Sequence, residues 1–159
     1  MRRVSGFTFV EIIFVTLVLG ILLAASVPRF QQTAQRLRAE QAAFELTALL
    51  RVAHEQAVAQ GGPIVWMWDA EARSARLLLM DETGQLAPLS GRINRSTVFP
   101  EEILVSATQD HTPVDRVTFF PDGTSDSAAV AVALRGRVYT ITVDATTSQV
   151  ALSPGLLTR

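Results

Sequence analysis

A long apolar run near the N-terminus constrains this chain more than any other feature of its sequence. Residues 7–27 are almost wholly apolar, and as a helix they would rise about 31 Å, roughly the hydrocarbon thickness of a bilayer. Arg2 and Arg3 precede the run and Arg29 follows it, so the flanking charge favours a cytoplasmic N-terminus. The sequence therefore predicts one membrane-spanning helix over residues 7–27.

Glu11 interrupts this apolar run. A carboxylate inside a spanning helix costs about 2.5–3.5 kcal/mol at mid-bilayer, and less towards the interface. A group with such a cost is expected to have a function and a cationic partner. Cleavage after Gly6 would create a new amine at Phe7, about one turn from Glu11. In an assembly, the amine of one subunit would then neutralise the carboxylate of the next.

Three other interpretations of the N-terminus stay open on the residues alone. Two Arg, an apolar core and the small residues 24–26 fit a secretory signal peptide, although Glu11 and the helical pattern beyond it argue against one. The run also fits a single-pass anchor that takes no part in assembly. Before any cleavage, Glu11 could instead form an internal salt bridge with Arg2 or Arg3.

The motif at residues 6–11, Gly-Phe-Thr-Phe-Val-Glu, resembles the prepilin peptidase site of type IV pilins and type II secretion pseudopilins. The resemblance implies that a prepilin peptidase cuts between Gly6 and Phe7. It also implies that the new amine becomes N-methylphenylalanine at Phe7. Residues 1–6 are then the leader peptide, and the mature chain begins at Phe7.

The same resemblance extends along the helix and implies an assembly role for four residues. Phe7 and Glu11 would set the register between neighbouring subunits. Gly20 and Pro28 match the glycine and the proline that members of this family place in the helix. The lipid bilayer and other pilin-like subunits are the partners that this part of the resemblance implies.

A second helical pattern follows over residues 28–62. Pro28 is expected to kink or loosen the helix, and Gly61-Gly62-Pro63 to end it. A continuous helix over residues 7–60 would be about 81 Å long. The apolar positions nearer the C-terminal domain are predicted to pack on the chain's own sheet: Phe44, Ala48, Leu49 and Val52. Those nearer the membrane are predicted to pack on neighbouring helices: Phe30, Ala34 and Leu37.

From residue 63 to residue 159 the apolar period changes to that of short strands joined by tight turns. Antiparallel strands with this spacing indicate a sheet or a two-sheet sandwich packed on the helix. The fold class is therefore α+β. The resemblance to type IV pilins implies their arrangement of one long N-terminal helix and a β-rich domain. Residues 84–113 are the least readable part. The predicted strands cover residues 64–68, 75–80, 103–107, 116–120, 128–134, 138–143 and 149–152.

The C-terminal half resembles the H-type minor pseudopilins and their minor-pilin relatives, the GspH/FimT family. The resemblance rests on the Phe-Pro-Asp-Gly turn at residues 120–123, the strand at 136–143 and the short closing strand at 148–150. It implies a structural subunit at or near the tip of a type II secretion pseudopilus, which supports protein export across the outer membrane. A minor type IV pilin that primes a pilus or takes up DNA is the alternative.

These resemblances also imply a location and a set of partners. The protein would be a single-pass protein of the bacterial inner membrane, with a cytoplasmic N-terminus and a periplasmic C-terminal domain. Its partners would be prepilin peptidase, the other major and minor pseudopilins and the inner-membrane assembly platform. A separate cytoplasmic ATPase would drive assembly.

Catalysis, a cofactor and a metal are not expected. The chain has no Cys, which removes thiolate nucleophiles and Cys-based metal sites. Asp110 and His111 with Ser106 or Ser125 would make a Ser-His-Asp set, but no nucleophile-elbow pattern accompanies them. The oxygen-rich segment 122–126 has too few ligands for a calcium loop and is predicted to be a simple turn.

Binding of DNA is the remaining alternative. The formal net charge is −1, so no overall basic field favours nucleic acid as a partner. Folding would have to gather scattered arginines into a patch. The candidates for such a DNA or surface patch are Arg92, Arg95, Arg135 and Arg137.

Overall fold

The computed structural model of this chain describes residues 8–89 and 96–155, and the side chains of all of these except residues 24–32. Compactness divides the chain into two units, the first ending at Arg36 and the second beginning at Leu37. The predictions for Gly6, Phe7, Arg92 and Arg95 therefore lie outside the described residues.

The described residues form one helix, α1 (Phe9–Gln60), and ten strands. The backbone of α1 is helical through both Gly20 and Pro28. The helix ends where the sequence predicts, because Gly61 adopts a φ of 66° that favours glycine, and its N–H donates to the carbonyl of Ala57 at 3.1 Å.

The strands are short and follow the helix in chain order. They are β1 (Ile64–Asp69), β2 (Ser74–Met80), β3 (Leu86–Pro88), β4 (Thr97–Val98), β5 (Leu104–Gln109), β6 (Thr112–Val114), β7 (Arg116–Phe119), β8 (Ala128–Leu134), β9 (Arg137–Val143) and β10 (Val150–Gly155). The seven predicted strands are confirmed, with ends that differ from the prediction by at most three residues. Strands β3, β4 and β6 were not predicted, and they lie in or at the end of residues 84–113, where the sequence pattern is least clear.

Two antiparallel sheets result. The first has the order β3-β2-β1-β7, with β4 also paired to β2, and the second has the order β10-β9-β8-β5-β6. Tight two-residue loops join β5 to β6 and β8 to β9, each with both loop residues at positive φ. Such loops match the twist of the flanking strands. The α+β fold class is confirmed.

One face of α1 in the second unit is buried, and alanine dominates it. Small side chains let a helix axis approach its neighbours closely. This face packs in one core cluster with residues of both sheets, among them the fully buried Trp66 and Phe119. Full burial of a leucine such as Leu46 or Leu50 stabilises the fold by about 1.5–3 kcal/mol. The buried face consists of Ala39, Ala42, Ala43, Leu46, Thr47, Leu50, Ala53 and Ala57.

The predicted packing face of the helix is wrong at two of its four positions. Phe44 is 57% exposed and Ala48 is exposed, whereas Leu49 and Val52 are half-buried against the core. The buried face is rotated towards the alanines. The spacing of apolar residues predicted a face that includes Phe44 and Ala48, whereas the structure packs the neighbouring helix positions into the core.

The edge strands of both sheets are poor templates for further strand pairing. Pro88 in β3, Pro113 in β6 and Pro154 in β10 each remove one N–H donor from an edge. At the fourth edge, β7 is covered by the chain itself. The N–H of Asp126 donates to the carbonyl of Thr118 at 2.9 Å, and the N–H of Thr118 donates to Asp126 Oδ2 at 2.9 Å.

Candidate functional site

The start of α1 is the part of the described chain where the sequence predicts assembly. Thr8 caps the helix: its Oγ1 accepts the N–H of Glu11 at 3.3 Å, and its carbonyl accepts the N–H of Ile12 at 3.3 Å. The Thr-x-x-Glu spacing is the signature of a capping box, and this signal was readable in the sequence but missed. Glu11 thus has a favourable place beside the positive end of the helix dipole.

Glu11 is exposed, and within the described residues it makes no ion pair. The predicted partner, the amine at Phe7, lies outside the described residues. The cap bond from Thr8 goes to the backbone N–H of Glu11, so the carboxylate itself stays available for another group.

The apolar side chains on both sides of Glu11 in the sequence are exposed on every face of the helix. Their exposed fractions run from 38% at Val18 to 80% at Phe9. A helix with apolar side chains on all faces is stabilised by an apolar environment, because the exposure of apolar surface to water is unfavourable. The large members are Phe9, Val10, Ile12, Ile13, Phe14, Val15, Leu17, Val18, Leu19, Ile21, Leu22 and Leu23.

Within the part of the chain that the structure describes, no helix is both long enough and apolar enough to cross a membrane.

The other predicted assembly residues fall on the same helix. A methyl group added at Gly20 would meet no atom within 4 Å, so the packing of this chain gives no reason for a glycine there. Ala34 is exposed and Leu37 is 55% exposed, so both remain available for a neighbour. The backbone at Pro28 and Phe30 is helical, and their side chains lie outside the described residues.

The structure describes only two of the four arginines in the predicted patch. Arg135 and Arg137 are exposed on either side of Gly136 in the loop that joins β8 to β9. The loop brings these two guanidinium groups to the same end of one hairpin. Arg92 and Arg95 lie outside the described residues, so the four-residue patch stays a prediction.

The Ser-His-Asp set has no common site in the described residues. Asp110 and His111 form the exposed two-residue loop between β5 and β6, with φ values of 47° and 67°. His111 lines a shallow cavity of about 280 Å³ that neither Ser106 nor Ser125 reaches. The Ser125 hydroxyl instead donates to the carbonyl of Asp144 at 3.2 Å.

The oxygen-rich segment 122–126 forms a turn, as the sequence predicts. Asp122 Oδ1 accepts the N–H of Thr124 at 3.0 Å and its hydroxyl at 2.7 Å, and the Thr124 hydroxyl and N–H hold the pKa of Asp122 below its usual value. Among the described residues, no three His, Cys, Asp or Glu side chains are grouped to hold a metal.

That turn is tied to the turn between β9 and β10. The N–H of Ser125 donates to the carbonyl of Ala145 at 2.9 Å, and the Ser148 hydroxyl donates to the carbonyl of Gly123 at 2.9 Å. In the second turn, Asp144 Oδ1 accepts the N–H groups of Thr146 and Thr147. The Phe-Pro-Asp-Gly motif therefore has a structural role, since it anchors the closing hairpin of the second sheet.

The sequence matches a known protein family over most of its length. The family is Type II transport protein GspH, and the match covers residues 42–147. Two fimbrial proteins of Pseudomonas aeruginosa are each 35% identical over 65 residues, which is 41% of this chain. The chain spans 42% of the length of these curated relatives.

Solved structures of pilin-like proteins share the fold. The minor pseudopilin EpsH from the Type 2 Secretion System of Vibrio cholerae superposes with a TM-score of 0.61 at 13% identity, covering 74% of this chain and 97% of that one. The type IV minor pilin FimU of Pseudomonas aeruginosa superposes with a TM-score of 0.59 at 18% identity, covering 75% and 90%. The resemblance inferred from residues 120–150 is thereby confirmed.

Proposed function

This chain belongs to the GspH family of type II transport proteins, and we propose that it is a minor pseudopilin at or near the tip of a type II secretion pseudopilus. In that position it supports the export of proteins across the outer membrane. The family match over the β-rich domain carries the proposal, and the shared fold with the minor pseudopilin EpsH supports it. The protein is a structural subunit and not an enzyme.

The exposed start of α1 supports a membrane location for this subunit. Residues 9–23 carry large apolar side chains on all faces, and the chain leaves them uncovered. We place residues 7–27 in the inner membrane, with a cytoplasmic N-terminus and residues 63–159 in the periplasm. The leader, residues 1–6, is removed by prepilin peptidase between Gly6 and Phe7, and Phe7 is then methylated.

Assembly rests on the charges at the start of the helix. The amine of Phe7 in one subunit pairs with the carboxylate of Glu11 in the next, which removes two uncompensated charges from lipid. The exposure of Glu11 and its lack of an ion pair within the described residues support this pairing. The inner-membrane assembly platform and the other major and minor pseudopilins are the partners in this step.

The first test is the N-terminal residue and the intact mass of the protein extracted from the membranes of its native host. We expect a chain that begins at N-methylated Phe7. A chain that begins at or beyond Val27 would show ordinary secretion, and the pseudopilin proposal would have to be abandoned.

A second test separates the charge of Glu11 from the helix cap. Glu11→Val removes the carboxylate but keeps the backbone N–H that Thr8 caps, so we expect normal cleavage and failure to enter filaments beside wild-type subunits. Thr8→Val is the control, because it removes the cap bond, worth about 1 kcal/mol, and keeps the charge. Normal co-assembly of Glu11→Val would refute the charge pairing.

A minor type IV pilin that primes a pilus or takes up DNA is the second candidate. The identity to the fimbrial proteins and the fold shared with FimU favour it. Isolation of type IV pili and pseudopili from the same host, followed by detection of this chain in each, decides between the two. For DNA, simultaneous Ala substitution of Arg92, Arg95, Arg135 and Arg137 should weaken binding, and unchanged affinity would remove the DNA hypothesis.

A further inference from the structure

A polar cavity of about 470 Å³ lies where the last turns of α1 meet the turn between β9 and β10. The helix contributes Arg51, His54 and Glu55 to its lining, and the turn contributes residues 147–150. We propose that this cavity binds a carboxylate, presented as the acidic side chain of a neighbouring polypeptide. The choice of a polypeptide rests on the proposed function as a subunit of an assembly.

Arg51 is an exposed residue that makes one hydrogen bond across this cavity. Its Nη2 donates to the carbonyl of Val150 at 3.1 Å, which joins two residues 99 positions apart in the chain. A guanidinium group has five N–H donors, and this bond uses one. Within the described residues Arg51 makes no ion pair, not even with Glu55 one turn further along the helix. A guanidinium with unused donors is suited to a planar carboxylate.

His54 contributes a second group with an unmet hydrogen bond. Its ring packs edge-on against Phe119, with 6.5 Å between ring centroids, and its Nδ1 is buried with no hydrogen-bond partner in the described residues. A proton on Nδ1 would have no acceptor, and an unmatched buried donor costs about 1–3 kcal/mol. Because His54 also lines the cavity, its ring lies beside any ligand that binds there.

The opposite wall of the cavity is rigid. Asp144 Oδ1 accepts three bonds from the turn, from the N–H groups of Thr146 and Thr147 and from the Thr147 hydroxyl at 2.9 Å. Ser148 is buried at a φ of 50°, and its hydroxyl donates to the carbonyl of Gly123. A wall fixed in this way needs little ordering when a ligand binds, and this favours affinity.

The lining of the cavity carries charges of both signs. Arg51 attracts an anion, and Glu55 on the same lining repels one. For a doubly charged phosphate both interactions double, so charge alone does not separate it from a carboxylate. The choice of a carboxylate rests on the proposed function, since the anionic side chains of a neighbouring polypeptide are carboxylates.

The test uses the full chain in detergent micelles, with its two histidines labelled in the ring and observed by NMR. Sodium acetate is titrated at constant pH and ionic strength, with sodium chloride as the reference salt. We expect the ring signals of His54 to shift and saturate with acetate, while those of His111, in the loop of another hairpin, stay fixed. A His54 shift no larger than the one chloride produces would overturn the proposal.

Two variants should change the affinity for acetate in opposite directions. Arg51→Gln removes a charge-assisted hydrogen bond and should weaken acetate binding about tenfold. Glu55→Gln removes the repelling charge and should strengthen it. The unchanged signals of His111 report that each variant is folded. Acetate binding that is the same in Arg51→Gln as in the wild type would exclude Arg51 as the ligand-binding group.

Further probes identify the source of the carboxylate. The blocked peptide acetyl-Ala-Glu-Ala-amide should bind more tightly than acetate if the natural ligand is an acidic side chain. Binding of acetate without binding of the peptide, or tighter binding of phosphate than of acetate, would contradict the assignment. Absence of the chain from filaments would refute the proposed function and leave these measurements on the isolated chain unaffected.

Discussion

The two halves of α1 share one backbone conformation and use it in opposite ways. Residues 9–23 present large apolar side chains in all directions, each at least 38% exposed where it is a large hydrophobic residue. Residues 39–57 confine their buried positions to one stripe, mostly of alanine, and their other positions are half-buried or exposed. Since helical periodicity is the same in both, the distribution of apolar side chains around the helix distinguishes them. The stripe in residues 39–57 packs on the core of this chain, whereas the chain leaves the apolar side chains of residues 9–23 uncovered.

The strongest test of this contrast compares two leucines. Leu50 is fully buried, so Leu50→Ala should lower the free energy of unfolding by about 2–5 kcal/mol. Leu19, at 52% exposure, is the matched control, and Leu19→Ala should leave the stability of the β-rich domain unchanged. Urea unfolding of the full chain in detergent, followed by the fluorescence of Trp66 and Trp68, measures both. Equal losses would show that the halves are not independent in packing.

The alanine stripe can be tested in the opposite direction, by enlarging a side chain. Ala43 is fully buried in the core, and Ala43→Leu should overpack it at a cost of about 1–3 kcal/mol. Ala48 lies on the exposed face of the same turns, and Ala48→Leu should have almost no effect on unfolding. A large loss in Ala48→Leu would restore the packing face that the sequence pattern predicted.

Two glycines, one within α1 and one directly after its end, give a third comparison. Gly61 has a φ of 66° with no atom close to an added methyl group, so Gly61→Ala should cost about 1–2 kcal/mol through backbone conformation alone. Gly20 is within the helix and equally uncrowded, so Gly20→Ala should cause no loss of stability. If Gly20→Ala nevertheless reduces incorporation into filaments, its role lies in contacts between subunits. Thermal unfolding and a filament incorporation assay separate these effects.

The smallest expected effect is a pH dependence confined to the β-rich domain. The Thr124 hydroxyl lowers the pKa of Asp122, and the N–H and hydroxyl of Thr147 lower that of Asp144. A carboxyl with a lower pKa in the folded state stabilises the fold above its unfolded pKa of about 3.9, and this stability is lost as the pH falls through the folded value. The melting temperature should therefore decrease below about pH 4.

Asparagine variants check this assignment, because they keep an acceptor oxygen and do not titrate. The double variant Asp122→Asn with Asp144→Asn should show a shallower dependence of melting temperature on pH than the wild type. The same slope in both proteins would assign the acid sensitivity to other groups.

Local sequence signals predicted the helix and the longer strands, but they did not predict which surfaces of these elements pack together. The end of α1 at Gly61 follows from the backbone preferences of a few residues, and it is confirmed. The three short strands β3, β4 and β6 were not predicted, because each has only two or three residues and two of them contain proline. A pattern of period two cannot be recognised over so few positions.

The candidate sites divide in the same way. The Thr8–Glu11 cap is local and was readable from spacing. The contact between Arg51 and Val150 joins distant parts of the chain, and no sequence pattern marks it. The buried face of α1 was also not predicted, because alanine is common at both exposed and buried helix positions and gives little contrast in hydropathy.

The prolines at the sheet edges bear on how this domain avoids forming amyloid-like fibres. Wherever many copies of a chain are held close together, an open strand edge can recruit a second copy and grow into cross-β structure. Pro88, Pro113 and Pro154 remove donors from β3, β6 and β10, and residues 125–126 cover β7. At these four edges the domain is a poor strand template, so contacts between copies are left to its other surfaces.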